Sequence, residues 1–529
     1  MNVHECKDTR EGKPHILQNI NTITNLASHL KTTLGPFGMD KLINDLLTND
    51  GATILKNIVR DNEPICKILL SAVNSLDKEV GDGTTSTTLL SSQILSLLKP
   101  LVLENYPIST ILECLSQARN DILKHLDSLK QKVDSSLLYK IAETSLTSKI
   151  LKYHKKHFGE IVVKAMSRPN IDSVYADSNI NLDSDFYKQS VVIPNISIKK
   201  VTGGSLQDSC LVNGVAFAKT FTYAGYEQQP KKIKNPNILC LNVELELKPE
   251  KDNCEFKIDS VSSYKDMLEG EYKVFLNRLD TIRQTGANVV LSTLSIGDYA
   301  TQYFARHNIF CCGRVSEEDV KRVVECCGGE IISSIESLRN KNNETQIQRF
   351  IGKCEYFEEK QVGKSRYNFF EGCEFAATLL LRGPTSEMLD EVERSVMDAI
   401  GVVKAGLTSK GIVWGGGSCE MSISRFLRDQ GIKRGDSCIF VYMVLAQAFE
   451  IIPFTLALNS GNDGVEVLGL LRGEHNEGKH SAGVGGDMSL LGVVEPVELK
   501  EGIVRCAFSV VETVLRIDGT VVAKGKEQG

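Results

Sequence analysis

The chain has 529 residues, and at about 150 residues per domain that length folds as roughly three domains. With 61 basic and 67 acidic residues, the formal charge is −6, which argues against a nucleic-acid binder driven by bulk charge. Apolar residues make up 42%, so the chain builds substantial cores and is not a disordered scaffold.

The N-terminus, Met1-Asn2-Val3-His4-Glu5, has neither a basic nor an apolar leader region, so no signal peptide is read there. The 15 cysteines are then expected as free, mostly buried thiols in a reducing compartment. Cys311-Cys312 and Cys326-Cys327 lack zinc-knuckle spacing.

Taken in chain order, the first third reads as helix. Ile16, Ile20, Ile23, Ala27, Leu30 and Leu34 fall at helical spacing until Gly35-Pro36 stops the run. Ile65 to Val80 repeats the pattern and is closed by Gly81. Leu89 to Leu98 and Ile111 to Leu129 add two more faces.

The middle changes character. Leu239, Leu241, Val243, Leu245 and Leu247 alternate with polar residues, as in a half-buried strand. Ala287 to Leu291, Ile309 to Cys312 and Phe375 to Leu381 are further strand candidates. Helical pieces, Tyr264 to Arg283 and Glu317 to Cys326, lie between them, the second with Ser316 as its N-cap. Polar loops are expected at Asp177 to Asp185 and at Arg339 to Arg349.

Helical stripes return at Leu389 to Val403 and at Ala507 to Leu515. Ile439 to Leu458 is nearly long enough to span a bilayer. Gln447, Glu450 and Pro453 near its middle favour a buried helix of a soluble protein. Gly473 to Asp487 is expected as a mobile loop. A helical domain is thus split by an α/β insertion.

The chemistry-bearing segments are turns at helix ends. Gly363-Lys364-Ser365 is not a P-loop, because the first glycine would have to stand where Glu358 does. Gly81-Asp82-Gly83-Thr84-Thr85-Ser86 ends one helix and opens the next, where free N–H groups and the helix dipole favour phosphate. Asp82 offers the hard oxygen that Mg²⁺ takes. Read alone, this is equally a capped turn. Thr33 to Lys41 forms a second Gly-rich loop, and Asn49-Asp50-Gly51 a third turn with an acid, which alone reads as a hairpin turn. Gly415-Gly416-Gly417 is either a close ligand approach or a tight bend. Asp398 lies off its helix's apolar stripe, and alone it reads as part of a solvated face.

The ordered series T-L-G-P-F-G-M-D-K, N-D-G-A-T-I-L, G-D-G-T-T-S, G-G-G and V-E-P resembles the group II chaperonins over nearly the whole chain. Thr220 to Glu227, Asn242 to Lys248 and Arg366 to Phe370 narrow the likeness to one subunit type of the eukaryotic cytosolic branch, called TRiC or CCT.

The resemblance implies a multidomain α and α/β chaperonin fold. Its helical equatorial domain would comprise 1–141 and 403–529, its small intermediate domain 142–208 and 357–402, and its α/β apical domain 209–356. A helical lid protrusion would lie within about Glu246 to Arg283. It implies an ATPase that binds ATP and ADP with Mg²⁺. Leu34, Gly35 and Pro36 would line the phosphates, Asp82 would ligate Mg²⁺, and Gly83, Thr84, Thr85 and Ser86 would hold the β- and γ-phosphates. Asp50 and Asp398 would position and polarise water, and Lys149 would sense the γ-phosphate. Gly416 would sit against the nucleoside, and Glu495 with Lys500 would contact ribose or base.

Further, it implies seven paralogous partners in an eight-membered double ring and unfolded clients such as actin and tubulin. It implies a cytoplasmic location, with neither nucleic acid nor membrane. Client-facing segments would be Ser316 to Cys327 and about Thr220 to Lys232. The link from Lys41 to Asp50, which forms a hairpin in the family, looks shortened, and Trp414 stands beside the glycines where it could crowd the nucleotide pocket. A different class of reading is a ring member that binds nucleotide and acts chiefly as a wall. A small-molecule kinase is disfavoured, because no P-loop or kinase loop is present.

Overall fold

The computed structural model describes residues 13–44, 46–59, 64–132, 135–167, 195–218, 225–247, 261–338, 348–372, 376–408, 411–435 and 438–519. The chain divides into two compact units: one of 1–166, 179–191 and 390–529, the other of 167–178 and 192–389. The loops expected at Asp177–Asp185 and 339–347, residues 248–260 of the segment that would carry the lid, and Thr220–Ala224 lie outside the described residues.

The first unit is helical and is built from both ends of the chain. Its core is packed by Lys13–Ser28, Pro64–Val80, Thr84–Leu103, Ile108–Leu129, Ser418–Arg434, Ile439–Phe449 and Val497–Arg516. The apolar stripes read from the sequence supply it: Ile20, Ile23, Leu69, Ile94, Ile122, Phe508 and Val511 are all buried there. Phe508 is fully buried, so Phe508→Ala is expected to cost about 3–5 kcal/mol. Thermal denaturation of the full chain would read this as a lowered midpoint for the helical unit.

The apolar run near 440 breaks into two helices, Ile439–Phe449 and Ile451–Asn459. Pro453 in the first turn of the second would clash with the carbonyl of Phe449 in a continuous helix, so the break falls at Glu450. Buried Glu450 accepts hydrogen bonds from Ser424, Arg428 and Arg472. Thr84–Leu103 and Ile439–Asn459 are long and apolar enough to cross a membrane by length and composition. Both contribute buried residues to the helical core.

Two expectations are corrected here, and the hairpin at 41–48 is kept. Cys114 and Cys438, 324 residues apart in sequence, form a disulfide between the helices Ile108–Leu129 and Ile439–Phe449, so not all thiols are free. Gly473–Asn476 is the last turn of the helix Gly464–Asn476, and Ala482–Gly483 pairs with Gly486–Asp487 in a short hairpin, so 473–487 is not one loop. Lys41–Ile43 and Leu46–Thr48 pair antiparallel, so the shortened link still folds as a hairpin.

The second unit is mixed. Strands Ile331–Ile332, Asn237–Leu241, Val289–Ser292 and Phe310–Cys312 run parallel in that order, with Ile351–Lys353 antiparallel beside Asn237–Leu241. Their near-continuous apolar runs fit a sheet covered on both faces. The alternation through Leu247 overstates one strand, which ends at Leu241; Leu245 makes only an isolated bridge to Ile296.

Helices Val261–Gln284 and Glu317–Cys327 stand where helical spacing put them, the latter capped by Ser316. Gly363 and Lys364 form the turn of the hairpin that pairs Val362 with Ser365, which disposes of the P-loop reading. Strand Ala376–Gly383 pairs parallel with Asn195–Thr202.

Candidate functional site

All the aspartates singled out in the sequence lie in the helical unit, and the fold brings them together. Gly83, with φ of 86°, caps the helix Thr84–Leu103. Asp50 caps a second helix, Gly51–Ile58. The two N-termini meet so closely that a Cβ on Gly51 would lie 2.9 Å from the backbone nitrogen of Thr85 and 2.6 Å from its hydroxyl. Asp50-Gly51 is therefore a helix cap and not the hairpin turn that N-D-G alone predicts.

The carboxylate of Asp50 is fully engaged. Its Oδ1 accepts from Ala52 N–H and the Thr84 hydroxyl, each at 3.2 Å, and its Oδ2 accepts from Thr53 N–H at 2.9 Å and the Thr53 hydroxyl at 2.7 Å. Asp82 accepts from Gly83 N–H at 2.7 Å and from the Ser145 hydroxyl at 3.3 Å.

Asp398 is brought in by the helix Ser386–Thr408. Gly401 on that helix allows the approach, since a Cβ there would lie 2.7 Å from the Val80 carbonyl oxygen. Far from being solvated, Asp398 is ion-paired with Lys149 and both side chains are largely buried. Burial, opposed by Lys149 and reinforced by Asp50 and Asp82, holds the Asp398 carboxyl up at about 7. Burial alone would lower the Lys149 ammonium; Asp398, Asp82 and Asp50 together carry it above its ordinary value. Burial, Asp50 and Asp82 also raise Asp77, a further acid in this field that the sequence reading missed.

Two adjoining cavities open here. The smaller, about 70 Å³, is polar, and the residues bounding it include Leu34, Gly35, Asp50, Gly51, Asp82, Gly83, Thr84, Thr85, Ser86, Lys149, Glu391 and Asp398. The larger, about 550 Å³, shares Leu34, Gly35, Asp82, Gly83 and Ser86 with it and continues past Pro36 to Gly416, Glu495 and Lys500. Gly416 has φ of 62°, and a Cβ there would meet Met488 Sδ at 2.4 Å.

Lys500 and Trp414 have further commitments. The Lys500 ammonium is buried between Glu420, at 2.7 Å, and Glu495, at 2.5 Å, so its charge is already spent on carboxylates. Trp414 pairs with Val494 in a two-stranded ribbon and is not among the residues bounding either cavity. Among the described residues no group of three or more His, Cys, Asp or Glu could by itself hold a metal.

A family model described as the TCP-1/cpn60 chaperonin family matches residues 26–525. The chain belongs to the TCP-1/cpn60 chaperonin family. This chaperonin chain is 44% identical to T-complex protein 1 subunit eta of Encephalitozoon cuniculi over 525 residues, covering 98% of the chain and 97% of that protein. It is 38% identical to the Saccharomyces cerevisiae subunit eta over 542 residues, covering 99% and 94%. It is 41% identical to the human subunit eta over 488 residues, covering 90% and 85%. All three relatives are named subunit eta, the subunit type that the segments from Thr220, Asn242 and Arg366 resemble. The α and α/β class expected of a chaperonin is the class observed.

Proposed function

We propose that this chain is an ATP-hydrolysing subunit of a hetero-oligomeric chaperonin. The observation that carries the reading is the meeting of Asp82, Asp398 and Lys149 with two helix N-termini at the polar end of a nucleotide-sized cavity. In this reading the chain joins seven paralogues in an eight-membered double ring in the cytoplasm and encloses unfolded polypeptides such as actin and tubulin. The three-part layout of equatorial, intermediate and apical domains, with the boundaries given above, belongs to the same proposal.

The residues present fit a magnesium nucleotide. The first turn of Thr84–Leu103 would turn its N–H groups to phosphate oxygens. The carbonyls of Leu34, Gly35 and Pro36 already accept from Asn459, Gly38 and Lys152. Proline has no N–H, so this loop would offer phosphate the N–H groups of Leu34 and Gly35. Magnesium, when bound, neutralises charge on phosphate oxygens; Asp82 would hold it, and its two oxygens keep lone pairs beyond the two bonds they accept. Gly416 and Glu495 would flank the nucleoside, and Lys500 would hold Glu495 in place without touching the ligand.

Asp398 would take the proton of the attacking water, a task suited to a carboxylate that titrates near 7. Lys149 would turn from Asp398 to the γ-phosphate as it arrives. Asp50, its oxygens occupied by four donors, would orient the site and not accept a proton.

A photoreactive 8-azido-ATP labelled at either the α- or the γ-phosphate tests this on the chain within its assembly. The chain is expected to keep α-label and lose γ-label with time in magnesium. Retention of both favours the binding-wall reading, and uptake of neither overturns nucleotide binding.

A pH dependence follows. Asp398 is raised above the ordinary carboxylate range, so its basic form is lost as pH falls through about 7. The kcat/KM, which reports the free protein, is expected to rise with pH through about 7 and then level. Lys149 lowers the Asp398 value, so Lys149→Gln should move the limb to higher pH. A limb that stays in place would remove Asp398 from the proton transfer.

A further inference from the structure

The helix that carries Asp398 also carries Glu391 about two turns and Arg394 about one turn nearer its start. Neither is needed to explain phosphate binding, yet both are committed to the turn that holds Asp50. Arg394 pairs with Glu391 and donates to the Thr48 hydroxyl at 2.9 Å. The Thr48 oxygen also accepts from Asp50 N–H at 3.1 Å. Glu391 accepts from Asn49 N–H at 3.4 Å. The Asn49 amide in turn donates to the Ser148 carbonyl at 3.0 Å, next to Lys149.

Thr48, Asn49 and Glu391 are all buried. In such surroundings an unpaired polar group is costly, so these bonds form as a set or not at all. The set joins three segments that are distant in sequence: the Asp50 turn, the Lys149 turn and the Asp398 helix. A one-turn repeat places Glu391, Arg394 and Asp398 on one side of that helix, so a shift of the helix is transmitted to both aspartates.

We infer that Glu391 and Arg394 are positioning residues that brace the Asp50 turn onto the Asp398 helix, fixing the spacing between the two acids. The inference rests on the ATP-hydrolysis reading above and adds to it the part that sets the geometry. Glu391 and Arg394 act through Thr48 and Asn49, whose N–H and hydroxyl groups they hold.

The test uses the full chain in its assembly with three variants. Arg394→Ala removes the brace, Arg394→Lys keeps the charge opposite Glu391, and Thr48→Val is isosteric but lacks the hydroxyl. Hydrogen exchange on the nucleotide-free chain should show faster exchange in the peptide spanning Thr48 to Asp50 for Arg394→Ala and Thr48→Val. Loss of γ-label from bound 8-azido-ATP should slow by about 10²-fold, the scale of an ångström of misplacement, while the concentration needed for α-label uptake changes by no more than about threefold. The two changes should be strongly non-additive when combined, as expected of one network, and Arg394→Lys should recover most of the rate.

Unchanged exchange at Thr48 to Asp50, or full additivity, overturns the brace. Should the wild-type chain itself fail to lose γ-label, the hydrolysis reading fails instead, and the exchange result still decides whether the brace exists.

Discussion

Asp398→Ala is expected to leave nucleotide uptake within a few-fold of wild type and to slow hydrolysis on this chain by roughly 10²–10⁴-fold, the usual contribution of a positioned acid or base. Asp398 is the cleanest of the three aspartates to test. Asp50 caps the helix Gly51–Ile58 through four accepted bonds. Removing it would cost about 1 kcal/mol of helix stability in addition to any catalytic loss. Asp82 accepts from Gly83 N–H at the turn into Thr84–Leu103, so its removal would disturb the phosphate turn as well as the metal ligand.

Asp398 lies mid-helix, where alanine is favourable, and its carboxylate pairs with Lys149. Its loss frees Lys149, a cation that favours a triphosphate, so uptake should not suffer. The α- and γ-labelled nucleotides separate the two effects directly. Undiminished loss of γ-label would mean that the proton goes elsewhere. Glu391 is then the next acid to examine, because it bounds the same small cavity and burial raises its carboxyl. Loss of both labels would mean that Asp398 supports binding, contrary to its place opposite the phosphate turn.

Much of the helical half of the fold was legible because several helices have one buried face, and Ile16 to Leu30 or Ile111 to Leu126 record that face at regular spacing. The parallel sheet was legible as short apolar runs, though the ends of its strands were not. Beyond Leu241 the alternation continues, but the chain turns away and Leu245 is buried in the core without a strand around it. Contacts between distant segments left no local mark. Cys114 and Cys438 carry nothing in their neighbourhoods that announces a bond.

The acids were found singly, yet their meeting depends on Gly51, Gly81 and Gly401, whose meaning comes only from what a side chain there would strike. Glu391 and Arg394 were missed although the signal exists, as a polar stripe at three- and four-residue spacing leading to Asp398. On a helix such a stripe looks the same whether it faces water or a buried turn. For the helix Glu317–Cys327 the opposite error was available: Asp319 and Arg322 read as surface charges but are buried, while Glu317, Glu318 and Lys321 remain exposed. Arg322 donates to the Ala377 carbonyl and the Thr378 hydroxyl, so its charge is held inside the fold.

Gly51 gives the second large effect. Its side of the turn faces Thr84 and Thr85, and a Cβ would stand 2.6 Å from the Thr85 hydroxyl, 2.9 Å from its backbone nitrogen and 3.0 Å from the Thr84 hydroxyl. A hydroxyl can rotate away, but the Thr85 nitrogen belongs to the first turn of Thr84–Leu103 and cannot move without that turn. Gly51→Ala must therefore push the two helix N-termini apart. The bond from the Thr84 hydroxyl to Asp50 would break, and the small cavity that both helices bound would change shape. We expect triphosphate uptake to weaken by at least about tenfold and hydrolysis by about 10²-fold or more, since the groups that would hold phosphate and the acids that would direct water lose their common frame. Gly469 is the matched control: it is also helical, but nothing lies within 4 Å of a Cβ there. Gly469→Ala should leave both labels unchanged and stabilise its helix by up to about 1 kcal/mol. Equal behaviour of the two variants would show that the contact between the helix ends is not what shapes the site.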